Sequence, residues 1–318
     1  MIFNDLSVSQ NAIIQTLDAS RARFYRIVRE NNVEPIDATA PRKRYGVDAC
    51  RRIYPSYYIK NAVNDKVNVF YNFKGGTGKT TVCFQLSCLL ALAGYKVLAI
   101  DLDPQAHLTN ILRFNETSRL DTVYEFIING KNIKNCICNV FDGLDAVPSS
   151  IELTKIELPL SQKTRREETL HRFLTTIRDD YDYIMLDTNP ALSTLNVSAL
   201  FAADRVNVIC ETHPFSLNAL CVLIEELEKV FYELQKKFNF SVIANKYEAK
   251  TATAQEILGI LRTDYSLEMF NTVIRKCEDL NTATKLKSPV ISFAAIKSPA
   301  FSDTFDLFKE FVKVTTGR

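Results

Sequence analysis

Tryptophan is absent from this chain of 318 residues, and only three histidines occur, His107, His171 and His213. They are scattered, which speaks against a multi-histidine metal centre. No run of about 18 apolar residues exists, so no membrane-spanning helix is expected. The start, MIFNDLSVSQ, lacks the basic and apolar regions of a signal peptide. Net charge is nearly missing: 39 Lys+Arg against 37 Asp+Glu leave +2. Glycine is scarce at nine residues, yet three of them crowd into Gly75, Gly76 and Gly78. The eight cysteines read as reduced thiols in a cytoplasmic protein, because a chain this long needs no covalent staples. Cys136 and Cys138 form a lone C-x-C with no further ligand nearby and read as small residues on a strand.

What is present divides near residue 65. The length fits about two domains at roughly 100–200 residues each. Residues 1–65 carry ten basic and seven acidic residues, so the near-neutral total hides a basic N-terminal segment. The pattern Ser9–Thr16, a turn at Leu17–Ser20, then Arg21–Glu30 with Phe24, Ile27 and Val28 on one face predicts helix, turn, helix. Ser20 is the expected N-cap. This resembles a helix-turn-helix, with Arg21, Arg23 and Arg26 facing DNA. Pro41-Arg42-Lys43-Arg44-Tyr45 reads as a basic wing leading to a helix over Val47–Ile53. A basic helical cap or a dimerisation arm is the plainer reading of the same residues. Polar Asn61–Asp65 makes the linker to a second domain over 66–318.

Beyond it, apolar strands alternate with amphipathic helices. Strands are expected at Val67–Phe73, Lys96–Asp101, Tyr183–Asp187, Arg205–Glu211, Phe240–Asn245 and Asn271–Arg275. Helices are expected at Lys79–Ala93, Thr169–Asp179, Leu195–Ala202, Ser216–Lys236, Ala252–Tyr265 and Phe301–Val314. Near-continuous apolar strands between helices predict an α/β fold with a mostly parallel sheet buried on both faces.

The strongest signal is Phe73-Lys74-Gly75-Gly76-Thr77-Gly78-Lys79-Thr80-Thr81, which follows an apolar strand and opens a helix. Glycines let backbone N–H groups converge on an anion, and the helix N-terminus adds free donors. Lys79 would face the β- and γ-phosphates, and the Thr80 hydroxyl can ligate Mg²⁺. The strict G-x-x-x-x-G-K-[ST] pattern fails, since Phe73 holds its first glycine position, and a second lysine, Lys74, precedes the glycine pair. This string resembles the deviant phosphate loop of the ParA/MinD family of ATPases. In that family the extra lysine acts catalytically across a nucleotide-sandwich homodimer. The resemblance covers about residues 66–315.

Two carboxylate sites support the loop. Asp101-Leu102-Asp103-Pro104-Gln105 ends a buried strand, where ligands of α/β sheets sit. One aspartate of the pair can hold Mg²⁺ or its water while the other orients the attacking water. The ParA resemblance makes Asp103 the water-positioning residue and Asp101 the magnesium-side carboxylate. Asp187 ends another apolar strand and reads as the Walker B carboxylate. Thr188-Asn189-Pro190 follows it, and Asn189 departs from the family's proline pair. Val242-Ile243-Ala244-Asn245 ends in an asparagine that the family places near adenine. The continuation Lys246-Tyr247-Glu248 imitates a guanine-reading N-K-x-D imperfectly, and ATP is favoured over GTP.

The resemblance further implies non-specific DNA binding by late basic residues. Lys250, Arg275, Lys276 and Lys287 are the candidates, with solvated surface charge as the plainer reading. The implied function is DNA partition by a cytoplasmic, nucleoid-associated ATPase. ATP would drive dimerisation, a ParB-like centromere-binding partner would stimulate hydrolysis, and the N-terminal segment would repress the protein's own operon. The alternative is a MinD-like membrane-cycling ATPase, anchored by the stripe Phe301, Phe305, Phe308 and Val312. Asp303, Asp306 and Glu310 on the polar face oppose it, and core packing is the plainer reading. An iron-sulfur electron-transfer ATPase and a regulator with a dead ATP site are the remaining readings.

Overall fold

The computed structural model describes residues 6–55, 62–112 and 120–317. Lys60 and Asn61, counted above in the basic segment and the linker, lie outside them.

Near the N-terminus, Ser9 and Ser20 cap two short helices. Ser9 Oγ accepts from Ala12 N at 3.2 Å and Ser20 Oγ from Arg23 N at 3.2 Å. The helices span Gln10–Thr16 and Arg21–Glu30. Strand β1 (Ser7–Ser9) pairs antiparallel with β2 (Arg44–Gly46), placing Val8 opposite Tyr45. Helix Val47–Ile53 follows directly. Phe24, Tyr45, Cys50 and Ile53 are fully or almost fully buried and belong to one continuous core with the phosphate-loop helix and the last helix. The expected elements of this segment form, and they pack onto the body.

Polar contacts reinforce the packing. Arg51 donates to the carbonyls of Ala91 and Tyr95 and pairs with Asp142 at 2.9 Å. Asn64 and Asp65 donate backbone N–H groups to Thr315 O in the last helix.

The body is one seven-stranded sheet in the order β5-β6-β4-β7-β3-β8-β9. The strands are β3 (Val67–Tyr71), β4 (Val97–Asp101), β5 (Cys138–Phe141), β6 (Leu144–Val147), β7 (Tyr183–Asp187), β8 (Arg205–Glu211) and β9 (Phe240–Asn245). All neighbours run parallel except β5 and β6. The strands β3, β4 and β7 are buried along their whole length, as their near-continuous apolar runs predict. Five expected strands appear.

The sixth does not. Asn271–Arg275 forms no strand: it makes an isolated bridge from Arg275 to Tyr247, with Ile274 N donating to Ala244 O at 2.9 Å and Ile274 O accepting from Tyr247 N at 3.0 Å. Its Asn271 and Thr272 N–H groups turn to the Glu310 carboxylate, at 2.7 and 2.8 Å, which interrupts the pairing with β9 between Phe270 and Ile274 and leaves no continuous ladder. Conversely, β5 and β6 escaped the sequence reading. They form a hairpin around Asp142-Gly143, with Gly143 at φ 90°. Cys138 begins β5, whereas Cys136 closes a short 3-10 turn. All eight cysteines are free thiols.

The expected helix at Thr169–Asp179 is shorter, Thr169–Thr175, with a 3-10 turn after it. The other expected helices of the body appear, shifted by a few residues at their ends. The last spans Pro299–Thr316 and buries Phe301, Phe305, Phe308 and Phe311 in the core. The stripe weighed above as a lipid anchor is thus spent on packing. Among the described residues, no helix is long and apolar enough to cross a membrane.

Candidate nucleotide site

The carboxyl ends of β3, β4, β7, β8 and β9 converge on one loop. After β3 the chain passes through Asn72, which is buried and fixes the loop's entry. Its amide donates to Ile209 O at 2.7 Å and its oxygen accepts from Lys74 N at 2.8 Å. Gly76 and Gly78 take φ of 77° and 99°, a region that side chains disfavour. Gly78 meets a second demand. A Cβ there would lie 2.2 Å from Asn245 Nδ2. Asn245 itself donates to Thr77 O at 2.7 Å. Asn245, expected beside the base, thus braces the back of the loop and does not line the cleft in front of it.

Lys79 opens the helix Lys79–Leu92, of which 12 residues are buried. Its ammonium donates to the carbonyls of Asn72 and Lys74 at 3.4 and 3.3 Å. Burial lowers its pKa, and the charges of Asp187 and Asp103 oppose that shift. These long bonds leave the ammonium ready to exchange loop carbonyls for a phosphate.

Asp101 and Asp187 are register partners on adjacent strands, and both are buried. Their surroundings differ. Asp101 accepts from Asp103 N at 3.0 Å and, on its other oxygen, from Thr109 N and Oγ1 at 2.8 and 2.7 Å. Thr109 Oγ1 in turn accepts from Ser149 N, and Ser149 Oγ donates to Asp103 O. Asp101 therefore fixes the position of the Asp103 loop. Burial pushes its pKa up to about 6 against these hydrogen bonds. Asp187 has no partner in hydrogen-bond geometry for either carboxylate oxygen. Burial first, and the Asp101 charge second, raise its pKa well above the usual range. The nearby Thr80 hydroxyl and Lys79 counter only in part. A fully buried carboxylate with two unused oxygens beside a threonine hydroxyl is a hard-oxygen donor set, and it fits a hydrated Mg²⁺.

A cleft of about 590 Å³ opens over the loop. The loop and Lys79–Thr81 form its floor, Asp103, His107 and Thr188 one wall, and Thr284 and Lys287 another. Lys74 does not line it. Its ammonium pairs with Glu211 Oε2 at 2.6 Å, while Lys246 holds Glu211 Oε1 at 2.8 Å and donates to Gly76 O. Glu211 was missed by the sequence reading. The available signal was its place at a strand's carboxyl end, level with Asn245 on β9. The segment after Asp187 is held too: Asn196 Nδ2 donates to the carbonyls of Asn189 and Ala191 and to Asn189 Oδ1. The departure at Asn189 is thus built into a closed turn.

The basic residues assigned to DNA scatter. Arg21, Arg23 and Arg26 are exposed on one helix, with Arg26 near Glu30 at 3.7 Å. Arg42, Lys43 and Arg44 line a cleft of about 640 Å³ between this segment and Ala294–Ile296. Arg44 is turned inward, donating to Ser7 and to Ser292 O. Lys250 is exposed. Arg275 grips Asp303 through both carboxylate oxygens, and Lys276 pairs with Glu248 at 2.7 Å. Lys287 stands apart from these, on the cleft over the phosphate loop.

Comparison with known proteins agrees with this geometry. A family described as an AAA domain matches residues 65–240, more than half of the chain. The chromosome-partitioning ATPase Soj of Treponema pallidum is 32% identical over 232 residues, covering 72% of this chain and 90% of that protein. The chromosome partitioning protein ParA of Caulobacter vibrioides is 29% identical over the same length, covering 72% and 87%. A putative plasmid partition protein of Borrelia burgdorferi, solved with AMPPNP, superposes with a TM-score of 0.67 at 25% identity, covering 79% and 99%. A cobyrinic acid a,c-diamide synthase of Mycobacterium smegmatis, with a TM-score of 0.68 at 21% identity, shares the fold. The chain belongs to the AAA domain family of P-loop ATPases, alongside the ParA and Soj partition proteins.

Proposed function

We propose that this protein is a DNA-partition ATPase that hydrolyses ATP with Mg²⁺ and switches DNA binding on through dimerisation. The observation that carries the catalytic half is the unpaired, buried Asp187 beneath the K-G-G-T-G-K-T-T loop. The backbone of Gly75, Gly76, Thr77 and Gly78 would cradle the phosphates together with Lys79 and Thr81. Thr80, Asp101 and Asp187 would hold Mg²⁺, directly or through water. The ion supplies positive charge that offsets the charge developing on the transferred phosphoryl group. Asp103, positioned through Asp101 and Ser149, orients the attacking water. Asn245 acts on the nucleotide through the loop it braces. Lys74 completes the partner's site once it leaves Glu211. Catalysis by these groups is positioning and electrostatics, with no covalent step.

DNA is the target that fits the exposed Arg21, Arg23 and Arg26, with Arg42 and Lys43 beside them. Lys250, Arg275 and Lys276 are the candidate contacts of the body. The relatives named for partition support the partition reading, and a homodimer on the nucleoid in the cytoplasm, released from DNA by a ParB-like protein, is part of the proposal. Repression of its own operon through the N-terminal segment completes the proposal.

The test is DNA retention in a gel with the full chain. Retention is expected with ATP and Mg²⁺, and it should vanish without nucleotide or with Lys79→Ala. Equal retention in the absence of nucleotide overturns the switch.

A further inference from the structure

The cleft over the phosphate loop carries a cation that the loop does not supply. Lys287 follows the helix Glu278–Leu286 and caps it in the left-handed conformation, φ 52° and ψ 46°. Its own N–H bonds to the last carbonyls of that helix, and Ser288 N bonds to Ala283 O at 3.0 Å. Glycine is the residue usually found at such a cap, because a side chain there is strained. Strained backbone gathers where a side chain is needed for binding or catalysis.

The corner is also fixed in place. Three residues on, Val290 N donates to the buried Gln85 Oε1 at 2.9 Å, and Gln85 belongs to the phosphate-loop helix. Lys287 is thus anchored to the same helix that begins with Lys79. It is half-buried and lines the cleft with Gly75, Gly76, Gly78, Thr80 and Asp103. Among the described residues it has no acidic partner, whereas Lys74, Lys246 and Lys276 are all paired. Within a single chain, Lys79 and Lys287 are therefore the two lysines of the cleft, and Lys74 is held outside by Glu211.

We propose that Lys287 is a nucleotide-positioning residue whose ammonium pairs with the phosphate chain of ATP in the same subunit, so that binding precedes any contribution from Lys74. This rests on the ATPase reading above, and it moves Lys287 from the DNA contacts to the nucleotide site. The pairing is ionic and local: no bond is made or broken. A free ammonium opposite the loop adds charge-assisted hydrogen bonds that the loop's N–H groups and Lys79 do not provide.

The experiment is calorimetric titration of the full-length protein with ATP and with ADP, for wild type, Lys287→Gly and Lys287→Arg, at low and high salt. Lys287→Gly should weaken both nucleotides about tenfold at low salt, the loss expected of one charge-assisted contact. The loss should shrink at high salt, and Lys287→Arg should recover most of the affinity. Lys287→Gly should melt no lower than wild type, since glycine relieves the left-handed strain, so the weakening cannot be assigned to misfolding. Wild-type affinity in Lys287→Gly overturns the proposal. A fall in DNA retention without a fall in nucleotide affinity overturns it as well and returns Lys287 to the DNA surface. A wild type that binds no ATP is a different result: it removes the ATPase reading, and this proposal with it.

Discussion

Lys74 Nζ lies 2.6 Å from Glu211 Oε2. The second oxygen of that carboxylate holds Lys246 at 2.8 Å. One glutamate thus collects the extra lysine of the phosphate loop and the first lysine after β9. Burial alone would raise the Glu211 pKa, but the hydrogen bonds from Lys246 and Lys74 outweigh it and lower the pKa. A carboxylate with a depressed folded-state pKa stabilises the fold above its unfolded pKa. That contribution is lost as pH falls through the folded value.

Replacing Glu211 by Gln should therefore destabilise the nucleotide-free protein by about 1 kcal/mol at neutral pH, discounted for the partial exposure of Lys74. The gap from wild type should begin to close below about pH 4.5, where the unfolded glutamate protonates, and vanish once pH has fallen through the lower folded-state value. Chemical denaturation across that range measures it. A gap that stays constant with pH contradicts the clamp.

Asp187 should behave in the opposite sense. With both oxygens unpaired and buried, its charge is a liability to the empty protein. Asp187→Asn should raise nucleotide-free stability by about 1 kcal/mol, or roughly 2–4 °C in Tm, while abolishing Mg²⁺-dependent hydrolysis. A melting scan and a phosphate-release assay on the same sample decide it.

Gly78 faces two demands that mutation can separate. Gly78→Ala should cost about 1–3 kcal/mol, from a left-handed φ and from the clash with Asn245. Adding Asn245→Ala removes the clash and leaves the φ strain. The double mutant should thus lose less than the sum of the two singles in a double-mutant cycle. Simple additivity would show that the contact carries no weight.

Arg51 joins the N-terminal segment to the end of the phosphate-loop helix. Arg51→Ala removes the side-chain donor from Tyr95 O, and from Ala91 O, which keeps Gly94 N at 3.0 Å, and should cost about 1–3 kcal/mol. Lysine cannot reproduce the fork that serves Ala91, Tyr95 and Asp142 together, so Arg51→Lys should recover little. Amide exchange over residues 10–53 should quicken in both. Unchanged protection would mean that apolar packing alone holds the segment.

Much of this was legible in the sequence because local rules and tertiary demands agree. Near-continuous apolar runs became β3, β4 and β7, and the glycine-lysine string became the loop. Serine caps and helical spacing gave the N-terminal helices. The misses have a common cause: they depend on what lies across the fold. Asn271–Arg275 has strand-like residues, but Glu310, 39 positions from Asn271 in the chain, takes the N–H groups of Asn271 and Thr272. The hairpin of β5 and β6 is short and carried by an Asp-Gly turn that apolar-run counting passes over. Glu211, Asn245 and Lys287 each have meaning only through a partner surface that is distant in sequence.

The phosphate-loop helix is buried on nearly every side, from Val82 to Leu92. In the proposed ATPase, a rod so enclosed would have no room to slide or rotate as nucleotide arrives and leaves. Its apolar circumference makes it the stationary reference of the machine, and the cycle must be written in the pieces that rest on it. Those pieces are the Asp103 loop, the turn after Asp187 and the Lys74–Glu211 pair, all at one rim of the sheet. The enclosed part of this protein and the part that, in the proposed ATPase, meets nucleotide are therefore separated along a single helix axis.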